Sequence, residues 1–483
     1  MNVSVISRNI GLALVFNAAF MFLSVVISII FGFDSAFAPL FMSAVITLTA
    51  GFFPLIFVKK RGAINLQEGL VIIVFSWILS CLFGMLPYVL WGGEFSVINA
   101  WFESVSGYTT TGASILTDIE ILPKSLIFWR SSTNFLGGLG ITIFMFFILP
   151  KQNSSFRMKL GNLEIADLSR QNYRFRFNQT VFVIGIVYMT IFLVGWISLM
   201  LAGMNWYDAI NHSFTCVSTG GFSTKNDSVA AFHSFPVELI LVVLMYFSSL
   251  HFGLLYTGLH KRSLKTIFNS PVVKFYTLSL IIAILITTVS VKLSGDAPTW
   301  ALSFRQCLFQ VVTLATATGY GTADTSVWPS FTILVLVYLS LQGGCSGSTS
   351  GGIKADRMLI FFKSLYSQFK MKLHPNGVFP VRVGNEIVEK GTVEAANIFI
   401  VFYVFIVFIS AMLVSAMGMS LIDAFTGTVS CMGGVGPAFG SLGSASNYNA
   451  IPIAAKFVFS IDMLLGRLEL FSIILVFSLF KMK

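Results

Sequence analysis

The chain has 483 residues, of which 56% are hydrophobic and only 10% carry a charge. Its 50 phenylalanines and 40 glycines, with a mean hydropathy of +0.85, lie outside the range of soluble domains. The composition therefore excludes a soluble globular protein and predicts a polytopic membrane protein. The five cysteines form neither a CxxC pair nor a metal-ligand spacing, so we expect no disulfide and no zinc site.

The net charge of +10 raises the question of a nucleic-acid partner. The basic residues, however, lie in short segments between apolar spans, at 59–61, 151–176, 261–262 and 354–372. The intervening loops carry acidic residues, namely Asp34, Glu94, Asp118, Glu120, Asp227, Asp296 and Asp324. Because positive loops face the cytoplasm, the charge reflects membrane topology, and we expect no binding of nucleic acid.

Ten apolar spans are predicted, near residues 9–32, 37–58, 68–91, 125–149, 178–202, 236–259, 273–294, 329–345, 394–416 and 455–480. The first span lacks the small-residue cleavage site of a signal peptide and is retained as a helix. An even number of crossings places both termini in the cytoplasm, in agreement with the basic segments.

From residue 68 onward a unit recurs four times: a span, a short apolar segment, a turn rich in Gly and Thr, and a second span. The turns read SGYTTTGAS (106–114), FTCVSTGGFST (214–224), TATGYGTAD (316–324) and TVSCMGGVGP (428–437). We align them on Gly112, Gly220, Gly319 and Gly434. The short segments cannot cross a membrane and should re-enter from the outer side. Predicted N-caps of three of these segments are Asn99, Asp208 and Asp423, and repeat three lacks such a signal.

Each unit begins and ends in the cytoplasm, so the four copies are parallel and can surround one axis normal to the membrane. The predicted fold is all-α, with two leading helices plus four parallel helix–pore loop–helix repeats around one pore. The predicted divisions are the leading helices (1–64), repeat one (65–152), repeat two (176–262), repeat three with a broken second helix (270–372), a cytoplasmic hairpin (373–392) and repeat four (393–483).

Four irregular turns at membrane depth predict a central pore, because such backbone must be buried in protein or line a watery cavity. Rings of carbonyl oxygens can replace the water shell of a cation, and glycine permits the dihedral angles that they require. The turns contain no carboxylate, which disfavours a divalent-cation filter. Close helix packing is the alternative role of such turns. The predicted filter residues are Thr110, Thr111, Gly112, Ser218, Thr219, Gly220, Thr318, Gly319, Tyr320, Met432, Gly433 and Gly434.

A second Gly/Ser cluster, QGGCSGSTSGGIKADR (342–357), predicts that the span after turn three stops being helical near Gly343. No comparable break is predicted in the partner spans of the other repeats. We interpret the cluster as a mobile loop under the filter, with a plain cytoplasmic linker as the alternative. The predicted gate residues are Gly343, Gly344, Cys345, Ser346, Gly347, Ser348, Thr349, Ser350, Gly351 and Arg467.

Three ionisable residues, counting Arg467, lie in or near the predicted pore. Arg130 and Arg467 are within spans, where a charge usually faces a cavity or a partner; Arg467 should form a barrier or tether the loop. Glu103, in the first re-entrant segment, should counter a nearby cation or hold the filter. We expect a packing role for His212. The histidines have no catalytic or ligand spacing, and no enzyme is predicted.

The cytoplasmic stretch VFPVRVGNEIV (378–388) alternates around Gly384-Asn385, which is typical of a short hairpin. It is a candidate docking surface for a cytosolic partner; a role in capping the helices alone is the alternative.

The four turns, the broken span, PVRVGNEIV and the terminal GRLE resemble the TrkH/KtrB/HKT superfamily of cation transporters, and the two leading spans are most similar to its TrkH branch. The resemblance covers essentially the whole chain. It implies K⁺ uptake across a bacterial inner membrane by a homodimer with one pore per protomer. The four aligned glycines take the filter positions, while the loop and Arg467 take the gate positions. Met432-Gly433 departs from the Ser/Thr pairs of the other turns.

The same resemblance implies a cytosolic ring of TrkA-type regulatory subunits that binds the nucleotide, so that this chain has no tightly bound cofactor and holds only K⁺ ions in its filter. Membrane lipid would surround the protein. The alternative function is a secondary cation symporter coupled to protons or sodium, for which Glu103 is the candidate carboxylate.

Overall fold

The computed structural model describes residues 2–59, 66–148, 177–468 and 470. Apart from one two-stranded hairpin, the regular elements in these ranges are helices. The chain is an all-α polytopic membrane protein, as its composition predicts. The basic segment 151–176 and the end of the last predicted span lie outside the described residues.

The two leading helices, α1 (Val3–Ile30) and α2 (Phe37–Phe57), pack backbone against backbone. A Cβ added at Gly11 would lie 2.6 Å from the carbonyl oxygen of Gly51, and one added at Gly51 would lie 2.8 Å from that of Gly11. Small residues permit this close approach in membrane helices. The α1 helix also contacts repeat one and so joins the leading pair to the repeats.

The four repeats follow in chain order. Repeat one contains α3 (Leu66–Gly84), α4 (Leu86–Trp91), α5 (Val97–Tyr108) and α6 (Lys124–Ile148). Repeat two contains α7 (Phe177–Leu201), α8 (Trp206–Val217), α9 (Phe235–Ser248) and α10 (Phe252–His260), with α11 (Leu264–Phe268) after it. Repeat three contains α12 (Pro271–Ser294), α13 (Trp300–Ala315), α14 (Ser330–Gln342) and α15 (Ala355–Leu373). Repeat four contains α16 (Lys390–Ala416), α17 (Leu421–Gly433) and α18 (Ile453–Arg467).

The short helices α5, α8, α13 and α17 are the predicted re-entrant segments, and each leads into its Gly-rich turn. Single 3₁₀ turns follow the last three of these turns, at Ser228–Phe232, Thr325–Val327 and Gly440–Leu442.

Fewer full-length spans are found among the described residues than the ten predicted. Six helices there are long and apolar enough to cross a membrane, and the bent pair α9–α10 would make a seventh. The span predicted at 329–345 contains only the 13 residues of α14, which are about 20 Å long and shorter than the ~30 Å hydrocarbon core. The α6 helix and the last span extend into residues that are not fully described.

Repeat three is not the only repeat with a broken span, and the prediction was wrong on this point. The α9 and α10 helices are bent by 102° at residues 249–251. The freed backbone groups bond to the loop after α14: Cys345 donates to the Ser249 carbonyl at 2.9 Å, and Phe252 donates to the Gly347 carbonyl at 3.1 Å. This break depends on a distant segment and contains neither Gly nor Pro, so local sequence does not reveal it. In α6, Gly140 also has non-helical angles (φ 52, ψ −163).

The predicted N-caps identify the right helices but the wrong residues. Each predicted residue lies three positions inside its helix and donates its backbone N–H to the true cap. That N–H is the one a cap side chain normally accepts from. The re-entrant helix of repeat three is also capped, although no signal was predicted there. The caps are Ser96, Asn205, Thr299 and Ser420.

The structure forms a hairpin at the predicted turn. Strands β1 (Arg382–Val383) and β2 (Glu386–Ile387) are antiparallel, with Arg382 opposite Ile387. Gly384 has a φ of 62°, which suits the first central position of a two-residue II′ turn. Val383 packs in a small apolar cluster with residues of α15 and α16, so the hairpin is fixed on these helices while Ile387 remains exposed.

We predict that Gly51→Val lowers the thermal unfolding temperature of the detergent-solubilised protein. The added side chain would force α1 and α2 apart, and overpacking of this kind costs about 1–3 kcal/mol. Gly185→Val in α7 is the matched control, because no atom lies within 4 Å of the Cβ position of Gly185. Equal destabilisation by both variants would contradict the close contact between the leading helices.

Candidate functional site

The four turns that follow the re-entrant helices share one backbone conformation. In each turn, two residues separated by one position have positive φ: Thr110 and Gly112, Thr219 and Gly221, Ala317 and Gly319, Gly434 and Gly436. The amide between them donates to the carbonyl five residues earlier at 2.8–2.9 Å, in Thr111, Gly220, Thr318 and Val435. This hydrogen bond is typical of a Schellman helix end, so the four turns are structurally equivalent.

The predicted alignment of the turns is wrong in two of them. Gly112 and Gly319 are equivalent, as predicted. Their counterpart in turn two is Gly221, and their counterpart in turn four is Gly436. Both turns contain closely spaced glycines, and sequence spacing alone does not show which one adopts positive φ at this position. The prediction misaligned Gly220 by one residue and Gly434 by two residues.

The register of turn four changes the residues that face its neighbours. Residues 434–436 correspond to 110–112 of turn one. The predicted Met432 and Gly433 belong to the last turn of α17. Val435 and Gly436, which the sequence analysis did not include, occupy the equivalent positions.

The four equivalent glycines form a closed ring of contacts. A Cβ added at any of them would lie no farther than 2.5 Å from a carbonyl oxygen of the next turn. The contacts run from turn one to two, two to three, three to four, and four back to one. The glycine–oxygen pairs are Gly112 with Gly220, Gly221 with Thr318, Gly319 with Val435, and Gly436 with Thr111. The turns therefore surround one axis, and glycine is required because any side chain would collide with backbone.

The first residue with positive φ in each turn is glycine only in repeat four. Thr110, Thr219 and Ala317 have φ values of 55°, 52° and 56°, an uncommon conformation for residues with a Cβ. Such strained backbone is concentrated at functional sites. Hydroxyl groups stabilise the turns: Thr109 and Thr111 share a hydrogen bond of 2.9 Å, as do Thr316 and Thr318 at 2.8 Å. In the second turn, Ser218 donates to the Phe214 carbonyl.

Tyr320 connects turn three to the re-entrant helix of repeat two. Its hydroxyl lies 2.5 Å from the Thr215 hydroxyl and donates to the His212 carbonyl at 3.0 Å. The ring nitrogens of His212 bond to the Asp208 carbonyl at 2.8 Å and the Ser223 hydroxyl at 3.1 Å. His212 is thus fully buried and hydrogen-bonded on both sides, in keeping with the predicted packing role.

The segment after α14 leaves the helix where predicted. The α14 helix ends at Gln342, and Gly343 has a φ of 64°. Residues 343–354 double back, because Ile353 donates to the Leu341 carbonyl and Ala355 to the Gly344 carbonyl, at 2.9 and 2.8 Å. Ser346 is also buried, and its backbone N–H and its hydroxyl both donate to the Asp356 carboxylate. The segment is largely buried, which does not fit the alternative of a plain linker.

This loop packs against the helix ends that precede two of the turns. The Thr349 hydroxyl donates to the carbonyl of Val217, the last residue of α8, at 3.0 Å. A Cβ added at Gly351 would collide with the carbonyl oxygen of Gly433 at the end of α17. The loop therefore touches the helix ends that lead into turns two and four.

Arg467 links the loop to repeat one. Its guanidinium donates to the Thr349 carbonyl at 2.7 Å and to the Gly137 carbonyl of α6 at 2.6 Å. It lines a cavity of about 120 Å³ together with Lys354 and Arg357. The predicted arginine and the predicted loop are thus brought together beside a cavity that two further cationic side chains line.

A buried carboxylate in repeat four was missed by the sequence analysis. Asp462 of α18 is 1% exposed and accepts a hydrogen bond of 2.7 Å from the Ser410 hydroxyl. Its other oxygen has no hydrogen-bond partner among the described residues. The only sequence signal is an acidic residue within an apolar span, in FSIDMLL.

The comparison with protein families decides the identity of the fold. The family model TrkH, described as a cation transport protein, matches residues 39–482 of the chain. The chain belongs to the TrkH family. It is 33% identical over 483 residues to the Trk system potassium uptake protein TrkH of Halomonas elongata, with 99% of both chains covered.

Other members of the TrkH family are similar over the same length. The chain is 30% identical over 482 residues to the Trk system potassium uptake protein TrkH of Escherichia coli K12, covering 99% of each. The crystal structure of the potassium transporter TrkH from Vibrio parahaemolyticus superposes with a TM-score of 0.88 at 27% identity, covering 99% of this chain and 98% of the other. The resemblance predicted from the sequence is confirmed, and the TrkH family consists of transporters rather than enzymes.

Proposed function

We propose that this chain is a potassium uptake protein, with a channel-like pore whose selectivity filter is formed by the four turns. The observation that carries the proposal is the closed ring of glycine–carbonyl contacts, which brings one turn from each repeat to a common axis. The relatives named above are Trk system potassium uptake proteins, which supports K⁺ as the transported ion.

In this mechanism, backbone carbonyls of the turns replace the water shell of K⁺. The Schellman hydrogen bonds hold each turn at its helix end, and the glycine contacts set the distance between neighbouring turns. The protein therefore positions its oxygens before the ion arrives and needs little rearrangement to bind it. The K⁺ ions are the transported substrate, and we propose no tightly bound cofactor in this chain.

The gate in this proposal is the loop 343–351 with Arg467. The loop touches the ends of α8 and α17 beneath the filter, and the guanidinium joins it to α6. A cationic side chain on the path repels a permeating cation, and the loop narrows the path sterically. Opening requires the loop to leave its contacts with Val217 and Arg467.

The proposed setting is a bacterial inner membrane, with both termini in the cytoplasm and lipid around the helices. We propose a homodimer with one pore per protomer, regulated by a cytosolic TrkA-type ring that binds the nucleotide. The hairpin 378–388 is the proposed docking surface, supported by its exposed Ile387 beside a packed base.

A secondary cation symporter coupled to protons or sodium is the second candidate. The carboxylate first considered for coupling, Glu103, is paired with Arg130. Asp462 favours this candidate instead, since it is buried and one of its oxygens has no partner among the described residues.

Flux in liposomes separates the two functions. Purified protein in K⁺-loaded and Na⁺-loaded vesicles should pass K⁺ down its gradient without an imposed proton or sodium gradient. The channel-like proposal would be rejected if K⁺ moved only when one of these gradients was present, and Asp462→Asn would then be the variant to abolish coupling.

The register of the turns predicts different effects for two glycines of turn four. Gly436→Ala should lower the K⁺/Na⁺ permeability ratio severalfold, because its Cβ would collide with the Thr111 carbonyl. Gly112→Ser should act in the same way. Gly434→Ala is the matched control: its equivalent in turn three is already Ala317, and its Cβ position has 3.9 Å of clearance. Reversal potentials under bi-ionic conditions measure the ratio.

A selectivity change in Gly434→Ala as large as that in Gly436→Ala would contradict the register. Wild-type selectivity in Gly112→Ser and Gly436→Ala alike would remove the filter assignment.

The gate contacts predict a gain of flux. Deletion of residues 346–350 should raise K⁺ flux in the absence of any regulator, because it removes the segment beneath the filter. Arg467→Ala should also raise it, and the two effects should be less than additive, since both act on one constriction. Lys261→Ala, an exposed cationic site on the cytoplasmic side, is the control for charge alone. Unchanged flux in a loop deletion that is folded and inserted would place the gate elsewhere.

The hairpin predicts a loss of regulation without loss of insertion. Deletion of residues 378–388 should leave a folded pore that no longer co-purifies with the cytosolic regulator or responds to it. Ile387→Asp changes an exposed side chain and should weaken binding without disturbing the base. Val383→Ala, in the buried base, is the comparison for destabilisation alone. Co-purification at wild-type levels after the deletion would reject the docking surface.

A further inference from the structure

One position in each re-entrant helix lies nine residues before the equivalent glycine of its turn, at Glu103, His212, Gln310 and Gly427. In the first three repeats the side chain at this position bonds to the part of its own turn that leads outward. Glu103 accepts from the Ile115 amide at 3.0 Å, His212 bonds to Ser223, and Gln310 donates to the Ala323 carbonyl at 3.2 Å. We call this the brace position. Glu103 is its only acidic member.

Glu103 makes more contacts than the other brace residues. Besides the Ile115 amide, its carboxylate accepts from the Ser114 hydroxyl at 3.1 Å and from the Nε of Arg130 at 2.5 Å. Glu103 is 0% exposed and Arg130 is 2% exposed. Burial of two charges is costly unless their geometry and remaining hydrogen bonds are favourable. Here the carboxylate is bonded through both oxygens, so the pair is held in one arrangement.

Arg130 extends this arrangement to the second turn. Its Nη1 donates to the Ser223 carbonyl at 3.2 Å, and its guanidinium lies 3.6 Å from the ring centre of Phe222. Phe222 directly follows the filter glycine of turn two. A planar guanidinium can serve a carboxylate, a carbonyl and an aromatic face at once, which a lysine ammonium cannot. Arg130 therefore joins the brace of turn one to the backbone of turn two.

At the other three interfaces between turns, the contacts found among the described residues are neutral. Tyr320 joins turn three to repeat two, the Ser444 hydroxyl donates to the Ala323 carbonyl at 2.9 Å, and the Tyr448 amide donates to the Ser114 carbonyl at 2.8 Å. Turns one and two also meet at the surface through Lys225 and Glu120, but these side chains are 34% and 46% exposed, and such pairs contribute little.

We propose that Glu103 and Arg130 are a positioning pair that determines cation selectivity by fixing the separation of turns one and two. The inference rests on the proposed filter function and identifies residues that do not touch the ion. Selectivity depends on the number and placement of the coordinating oxygens. If the interface between turns one and two is looser, the oxygens on that side of the ring can move closer to the ion, which allows the shorter contacts that the smaller Na⁺ prefers.

The test compares conservative variants of this pair with those of a second ion pair. Glu103→Gln keeps the size and an acceptor for Ile115 but removes the charge, and Arg130→Lys keeps the charge but removes the fork. Each should lower the K⁺/Na⁺ permeability ratio severalfold, because each removes a charge-assisted hydrogen bond that holds turns one and two together. Phe222→Leu, which keeps the ion pair and removes only the aromatic face, should lower the ratio less.

Arg305→Lys and Glu238→Gln are the control variants. This pair also joins a re-entrant helix to an outer helix, with two hydrogen bonds of 2.8 Å. It is more exposed than the positioning pair, at 36% and 10%, and among the described residues neither of its side chains bonds to a turn. These variants should leave the permeability ratio unchanged. Thermal unfolding and size-exclusion elution of every variant report the folded fraction, which a purely structural role would change without changing the ratio.

The outcomes distinguish this inference from the proposed function. A K⁺-selective wild type with unchanged ratios in Glu103→Gln, Arg130→Lys and Phe222→Leu would overturn the inference and leave the function intact. An equal loss of selectivity in the control pair would also overturn it, because general loosening would then be the cause. If Glu103→Gln and Arg130→Lys fail to fold, Phe222→Leu decides: an unchanged ratio rejects the positioning role. A wild type that carries no K⁺ would overturn the function and the inference together.

Discussion

Backbone that leaves a helix at membrane depth must find its hydrogen-bond partners within the protein, because lipid provides none. The structure meets this constraint locally and between repeats. Each turn bonds its amide to the carbonyl five residues earlier, and the loop after α14 bonds to the break between α9 and α10. The two irregular segments therefore stabilise each other: the loop in repeat three supplies hydrogen-bond partners for the backbone groups freed by the 102° bend in repeat two.

The same dependence explains why the four turns can be unequal in sequence and still equivalent in shape. A common helix end fixes the conformation of each turn, and the contact of one glycine with the next carbonyl fixes its neighbour. Side chains behind the turns are then free to differ. The interfaces use a charged pair at Arg130, a tyrosine at Tyr320 and backbone contacts at Tyr448. A homotetrameric channel cannot vary its interfaces in this way, because four identical copies of one chain occupy its four positions.

The sequence predicted what depends on composition and local propensity, namely the apolar spans, the four re-entrant segments, the end of α14 and the hairpin at Gly384. It did not predict what depends on contact between distant segments. The caps of α8 and α17 were assigned three residues too late because Asp is also favourable inside the first turn of a helix. Gly220 and Gly434 were aligned in place of Gly221 and Gly436 because closely spaced glycines cannot be distinguished from sequence alone. The equivalent glycine is identified by its contact with a carbonyl of another repeat. The break at 249–251 has no local signal.

On the proposed function, these contacts also determine how the loop can move. If the loop leaves its position, the Ser249 carbonyl and the Phe252 amide lose the partners that stabilise the bend, and Arg467 loses the Thr349 carbonyl. Buried backbone groups do not remain unpaired, so either water enters as the loop departs or α10 shifts with it. A permeable pore supplies that water. Opening and hydration are therefore one event. Since α11 follows α10 and leads toward the proposed cytoplasmic side, α10 is the element through which a force applied there would reach the loop.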